Sequence, residues 1–326
     1  MNRKIIILFL ITTGLLSACQ KNLDIFVPDA GQLNAPDTSW YGTATAAMPV
    51  NDLKNKLMIV FNTDSIQVNS STSSSFTSAA GLQCIFPPLC CAGNTGQLVT
   101  GSVHVETMLL KKKGDMIRMN TPTTSNNRLL VSGGEIFLRL KKDSTVLQLA
   151  PGVRVQMKFP DAPISTQMKY FRGDETGTQQ FNWVQDTGFN NNVSFTTQYY
   201  EVFTNHLRWV NCDYFYDTTN ISRVTIKAEL ASYFTNANTI AYTVFKDFRS
   251  VVGMYGDVNS KKFSTGKLPV GKAVTVVVIS KQGNDYFLGY ENTVTTSPIS
   301  TPGVQSVSVK PVIKSLPEII AFLNTL

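Results

Sequence analysis

The chain has only two histidines, His104 and His206, so few residues are available for acid–base or nucleophilic chemistry. His206 precedes Cys212 by six residues, and a neighbouring imidazole can activate a thiol as a nucleophile. The sequence motifs of thiol hydrolases are absent around Cys212, and the chain has no Gly-x-Ser-x-Gly motif. His104 follows Val103 in an alternating pattern, which favours a position that faces solvent or lies at an edge between sheets. We therefore predict no catalytic residues and a protein that is not an enzyme.

Paired carboxylates are a second source of chemistry, because glycoside hydrolysis needs two acids that flank the sugar. Asp174 and Glu175 are adjacent to each other, and Asp213 and Asp217 lie close together among aromatic residues. Adjacent acids in a loop point apart, so turn or surface positions explain them better than an active site. The acidic residues also lack the spacing of a calcium-binding loop. We predict no metal and no cofactor.

Aromatic residues form the one grouping with a binding use. Eleven of the 33 aromatic residues fall within residues 181–216. Tyr and Trp rings can stack on sugar rings or anchor a protein partner, because they offer a large contact area at a low entropic cost. The simpler alternative is that these rings form the core of a small middle module. The candidate ligand-binding residues are Phe181, Trp183, Tyr199, Tyr200, Trp209, Tyr214 and Tyr216.

The N-terminus has the organisation of an export signal. A basic start at residues 2–4 precedes an apolar run at residues 5–16, which is too short to span a bilayer as a helix. The tetrapeptide Leu-Ser-Ala-Cys that ends at Cys19 resembles the lipobox of bacterial lipoproteins. The resemblance implies cleavage before Cys19 and acyl chains on Cys19 that hold the protein on a membrane. In such lipoproteins, Gln20 rather than Asp after the cysteine implies the outer membrane.

Four more cysteines follow Cys19, and in an oxidising compartment an even number favours disulfides. Cys90 and Cys91 are poor partners for each other, because a bridge between neighbours strains the peptide. Cys84 could pair with either of them, which would leave the other for Cys212. Buried free thiols are nearly as good an explanation. A four-thiolate zinc site is a third alternative, although the paired short spacings of such sites are missing.

The charge of the chain restricts the kinds of partner that we expect. The formal net charge is +7 at pH 7, and removal of Arg3 and Lys4 with the signal leaves +5. The lysine runs at 111–113 and 141–142 are short and lack interleaved aromatic residues, so we predict no nucleic-acid partner. The expected partners are the membrane, through the acyl chains, and an envelope protein or a glycan.

Alternation of apolar and polar residues predicts antiparallel β-structure over much of the chain. The clearest case places Val155, Met157 and Phe159 on one face of a strand. A Gly283-Asn284 pair between two apolar runs predicts a hairpin. Ser315 and Glu318 have the spacing of a capping box and predict a short C-terminal helix.

Several of these strand segments also resemble uncharacterised Bacteroidetes surface lipoproteins and, weakly, ZU5-type β-domains. The matching residues are Gly101, Val103, Asp115-Met116-Ile117, Ser132-Gly133-Gly134, Pro151-Gly152 and the string Trp-Val-Asn-Cys-Asp-Tyr-Phe at 209–215. The resemblance implies a β-sandwich on a cell surface and supplies no catalytic residues.

We therefore predict a mainly β protein with two antiparallel sandwich-like domains, an aromatic-rich middle module and a short C-terminal helix. The expected function is a non-enzymatic, lipid-anchored binding or structural component of the outer membrane, facing either the periplasm or the exterior. A carbohydrate-binding lipoprotein is the alternative, and a secreted hydrolase is a third. The predicted segments are 1–18 (signal peptide), 19–51 (lipid-anchored linker), 52–160 (β-sandwich), 161–219 (aromatic-rich module) and 220–326 (Ig-like β-domain with the helix).

Overall fold

Antiparallel sheets make this a mainly β protein with a short C-terminal helix, as predicted from the sequence. The computed structural model describes residues 37–43, 45–175, 181–188 and 190–326. The predicted signal peptide, the lipidation site and most of the predicted linker lie outside these described residues.

The described helices are α1 (Pro49–Leu57), α2 (Lys113–Met119) and α3 (Leu316–Leu323). The first strands are β1 (Asn62–Val68), β2 (Ser74–Thr77), β3 (Gln83–Phe86), β4 (Cys91–Ala92), β5 (Leu98–Val99), β6 (Gly101–Leu110), β7 (Thr124–Ser125), β8 (Arg128–Lys142), β9 (Thr145–Val146), β10 (Gln148–Leu149) and β11 (Val155–Pro160). The next are β12 (Lys169–Asp174), β13 (Asn182–Gln185), β14 (Asn192–Phe195), β15 (Tyr199–Thr204) and β16 (Arg208–Phe215). The last are β17 (Arg223–Glu229), β18 (Thr239–Phe245), β19 (Val251–Asp257), β20 (Lys262–Pro269), β21 (Ala273–Gln282), β22 (Asp285–Val294), β23 (Val304–Ser308) and β24 (Val312–Lys314).

Two sheets pack face to face in the first half of the chain. One has the strand order β1-β6-β8-β16-β12-β13, with β7 and β9 attached to β8, and the other has the order β14-β15-β11-β3-β2. Their inner faces form one core, to which Val105 and Ile136 contribute from the first sheet and Met157 and Phe159 from the second. Alternate residues of a strand point to opposite faces, so the alternating apolar residues of β11 all lie on the inner face of its sheet.

The predicted middle module, 161–219, contributes strands to both of these sheets. β12, β13 and β16 join the first sheet, and β14 and β15 join the second. β16 pairs with β8 along its length, with a bulge between Cys212 and Asp213. The strands of this segment therefore complete the sandwich that the predicted domain 52–160 begins.

The C-terminal strands form one eight-stranded sheet with the order β23-β17-β20-β19-β18-β21-β22-β24. All described pairs in it are antiparallel except β17 with β23, which is parallel. In β21, Val276 and Val278 face the core of this sheet, whereas Val277 and Ile279 belong to a different cluster. Burial on both faces explains the uninterrupted apolar run in the sequence.

That different cluster is a layer in which all three helices take part. Leu53 of α1, Met116 of α2 and Ile319 of α3 pack there with Phe137 of β8 and Val277 of β21. The layer thus connects the outer face of the sandwich to the outer face of the C-terminal sheet. No helix among the described residues is both long and apolar enough to cross a membrane.

The predicted capping box of α3 is confirmed. The Ser315 side chain accepts a hydrogen bond from the Glu318 backbone N–H, and the Glu318 carboxylate accepts one from the Ser315 backbone N–H at 2.8 Å. Ile319 and Leu323 are fully buried on the inner side of this helix. The Gly283-Asn284 turn between β21 and β22 is also present.

Candidate functional site

A cleft of about 920 Å³ lies between α1, the outer face of the sandwich and strands β18 and β19 of the C-terminal sheet. This volume is near the upper end of the range for small-molecule sites, about 300–1,000 Å³. Its lining combines aromatic rings, amide side chains and charged side chains. The cleft is therefore large enough for a ligand of several rings and offers both flat and polar contacts.

One wall of the cleft is a row of aromatic rings. Phe61 stacks on Phe137 with ring centroids 4.5 Å apart, and Phe137 meets the edge of Trp209 at 5.1 Å. Phe181 continues the row, with its centroid 6.1 Å from that of Trp209. Phe137 and Trp209 are 2% and 7% exposed, whereas Phe61 and Phe181 are half-buried. The buried rings therefore support the two that are open to the cleft.

Two arginines extend this aromatic wall. The guanidinium of Arg139 lies 5.3 Å from the ring centroid of Phe61, and that of Arg208 lies 5.6 Å from the centroid of Phe137. A guanidinium near an aromatic face is attracted by the ring and offers a flat cationic surface. The Arg208 side chain is 53% exposed, so much of that surface is open to solvent.

Each of these arginines is held by a carboxylate. Arg139 pairs with Glu106, which also accepts a hydrogen bond from Lys141 at 2.7 Å. The Nε of Arg208 donates to Glu175 at 2.8 Å. Arg208 begins β16 with a φ of +75°, a conformation that residues other than glycine rarely adopt and that persists only where the surroundings hold it. The backbone and the ion pair together fix where this guanidinium lies.

The α1 side of the cleft carries Lys54. Its side chain lines the cleft and is half-buried, and its ammonium has no hydrogen bond or ion pair with any described residue. Burial lowers the pKa of Lys54, because partial removal from water disfavours the charged form. Asp52, on the same helix, pairs with Lys281 at 3.2 Å instead. Lys54 is thus a partly buried cation that no described residue pairs with.

A second polar feature lies inside the protein, away from the cleft lining. Glu135 and Asp213 are fully buried carboxyl groups on the neighbouring strands β8 and β16. Thr121 donates to Oε2 of Glu135 at 2.5 Å, and Asn211 donates to Oδ2 of Asp213 at 2.7 Å. The other oxygen of each carboxyl has no hydrogen-bond partner. Burial raises the pKa of both groups well above the usual values.

The predicted ligand-binding aromatics do not converge on one surface. Trp183 and Tyr200 are fully buried, so neither can stack on a ligand in this structure. Phe181 and Trp209 are the two of the seven candidates that line the cleft. Tyr199, Tyr214 and Tyr216 are half-buried at separate places, where Tyr214 packs against the sandwich core and Tyr216 against the core of the C-terminal sheet.

The predicted disulfides are not formed in the structure. Cys84, Cys90, Cys91 and Cys212 are free thiols, and each is fully buried in the sandwich core. The Sγ atoms of Cys90 and Cys91 lie 3.2 Å apart, at hydrogen-bond distance rather than bond distance. Burial raises the pKa of Cys84 to about 12. The structure thus corresponds to the alternative of buried free thiols.

The candidate catalytic groups are not brought together either. Cys212 is fully buried, and His206 instead has its Nε2 3.4 Å from Asp186. Asp213 is buried whereas Asp217 is exposed, so these two acids do not flank a common site. Among the described residues, no group of three or more His, Cys, Asp or Glu side chains is arranged to hold a metal ion.

Sequence reasoning missed most of the cleft. Lys54, Phe61, Phe137 and Arg208 were not among the candidate residues, because nothing in their local sequence sets them apart.

A scan against protein-family models and a search of curated proteins both find no match to this chain.

Proposed function

We propose that this chain is a non-enzymatic binding protein of the bacterial outer membrane, anchored through lipid on Cys19, and that its ligand occupies the cleft. The cleft is the observation that carries the proposal, because it presents rings and fixed guanidinium groups over a volume suited to a small or oligomeric ligand. No histidine or cysteine is among the described residues that line it. This lining supports recognition rather than nucleophilic chemistry.

The lipobox-like tetrapeptide supports the location. Substitution Cys19→Ser removes the acceptor for the acyl chains, so the variant is expected in the soluble fraction while the wild type sediments with outer membranes. Mass spectrometry of the N-terminal peptide checks the modification directly. An unmodified Cys19 in protein that is recovered from the medium contradicts the anchoring.

Ligand binding is tested with the full mature chain, reconstituted in detergent, on an array of oligosaccharides and of purified outer-membrane proteins. We expect saturable binding to members of one of these classes. Arg208→Ala should weaken it by about tenfold or more, because the substitution removes a polar contact and part of the flat wall.

Arg154→Ala is the matched control. Arg154 also lies beside an aromatic ring, with its guanidinium 5.7 Å from the centroid of Phe203, but it does not line the cleft. Equal loss of binding in both variants, or no loss in either, shows that the ligand binds elsewhere. Absence of binding across the whole array favours a structural role in the envelope.

A further inference from the structure

Lys54 differs from Lys111, Lys113 and Lys281, which are half-buried lysines that each have a hydrogen-bond or ion-pair partner. Lys111 pairs with Asp161 at 2.9 Å, and Lys113 donates to the carbonyl of Phe245 at 2.6 Å. Lys281 pairs with Asp52. Lys54 has no such partner among the described residues, although its side chain is partly removed from water.

A cation that is partly desolvated and unpaired costs free energy unless an anion or an acceptor joins it. Every other charged side chain among the described residues of the cleft lining has a partner. Arg139 and Arg208 are paired with Glu106 and Glu175. Asp257 accepts hydrogen bonds from the backbone N–H of Asn259 and from the hydroxyl of Ser260. The one unsatisfied charge in the described lining is therefore positive.

The other residues of the cleft lining indicate which further groups a ligand would carry. The row of Phe61 and Phe181, with the Arg208 guanidinium beside it, suits the flat faces of rings. Asn51 and Asn259 line the same cleft, and the amide of Asn259 and the Oδ1 of Asn51 can bind hydroxyl groups, since the Nδ2 of Asn51 donates to the Thr45 carbonyl at 2.6 Å. The lining is thus complementary to a ligand with ring faces, hydroxyl groups and one acidic group that can reach α1.

We propose that the cleft binds an acidic oligosaccharide, with the carboxylate of a uronic acid paired to the ammonium of Lys54 and the sugar rings against Phe61 and Arg208. This inference rests on the proposed binding function and adds the chemical class of the ligand. Both sources of affinity are needed, since an exposed ion pair alone contributes little and ring contacts alone do not select for charge.

The test compares two probes of the same length, an oligogalacturonate and its full methyl ester, by isothermal titration calorimetry with the full mature chain. The wild type is expected to bind the acid about tenfold or more tightly than the ester. Lys54→Gln should weaken binding of the acid and so remove this preference. Lys54→Arg, which keeps the charge, should retain part of the preference.

Lys56→Gln is the matched control, because Lys56 lies on the same helix, is exposed and does not line the cleft. It lowers the net charge by the same amount and is expected to change neither affinity by more than about twofold. A loss of preference in Lys56→Gln equal to that in Lys54→Gln would overturn the proposal, since general attraction would then explain it.

Equal affinity of the wild type for the acid and the ester overturns the acidic-ligand inference and leaves the binding function standing. Binding of neither probe also overturns the inference. Only the failure of all classes on the array argues against the binding function itself, so the two outcomes remain distinguishable.

Discussion

Glu135→Gln tests the buried acid cluster, and we expect the stability of the variant relative to that of the wild type to increase with pH. Burial raises the pKa of Glu135 well above its usual range, the hydrogen bond from Thr121 opposes this rise, and the charge of Asp213 adds to it. Glutamine has the same shape as a protonated glutamic acid. Its Oε1 can accept the hydrogen bond from Thr121, whose Oγ1 lies 2.5 Å from Glu135 Oε2 in the wild type.

The magnitude follows from proton linkage. In the unfolded chain a glutamate has a pKa of about 4.3, so above that pH the native state holds a proton that the unfolded state has lost. The free energy of unfolding of the wild type therefore falls by about 1.4 kcal/mol for each pH unit, per group, until the pH reaches the raised native pKa. Below the unfolded pKa this loss is absent. The variant cannot titrate at this position, so it escapes the loss.

Urea denaturation at pH 5, 6 and 7, followed by tryptophan fluorescence and by circular dichroism, measures the difference. Coincident transitions by the two probes are required before free energies are compared. The advantage of Glu135→Gln over the wild type should increase by about 1.4 kcal/mol between successive pH values within the titrating window. A difference that is the same at all three pH values refutes the reasoning.

Glu106→Gln is the control with the opposite sign. Burial acts to raise the pKa of Glu106, but the hydrogen bonds and charges of Lys141 and Arg139 outweigh it and hold the pKa below its usual range. Its contribution to stability is therefore present above the unfolded pKa and is lost as the pH falls through the native pKa. The Glu106→Gln variant should accordingly be destabilised most at neutral pH.

Two further substitutions test the helical layer by thermal denaturation. Gly114→Ala should destabilise the protein by several kcal/mol or prevent folding, because a Cβ on α2 would overlap the backbone carbonyl of Leu323 on α3. Gly42→Ala is the control, since a Cβ there meets nothing within 4 Å, and it should leave the melting temperature nearly unchanged. Ser315→Ala should lower the free energy of unfolding by about 1 kcal/mol, because it removes the capping box of α3. Ser315→Thr should keep most of the capping stabilisation. Equal melting temperatures for the wild type and Ser315→Ala would contradict the assigned cap.

Local patterns in the sequence predicted much of the fold. The alternation in β11, the Gly283-Asn284 turn and the capping box at Ser315 each depend on residues within a few positions of one another. Such signals predict the type of an element and the face that it buries. They carry no information about which strands pair, so the antiparallel pairing of β16 with β8 could not be derived.

The cleft could not be predicted either, because local patterns do not show which elements come together. Lys54 on α1, Phe61 before β1 and Arg208 at the start of β16 are brought together only by tertiary packing. The positive φ of Arg208 is likewise imposed by its surroundings and has no signature in its side-chain type. Local sequence therefore predicts elements well and predicts sites poorly when each site residue comes from a different element.

The aromatic-rich segment supplies rings both to the buried core and to the wall of the cleft. Trp183 is fully buried, and its ring centroid lies 6.5 Å from that of Trp209, which reaches the cleft. Trp209 in turn supports Phe137, on which the half-buried Phe61 stacks. Replacing either tryptophan would therefore disturb the core and the cleft wall together, and a loss of binding would not identify the site. Substitutions at Lys54 and Arg208, whose side chains end in the cleft, separate ligand recognition from stability.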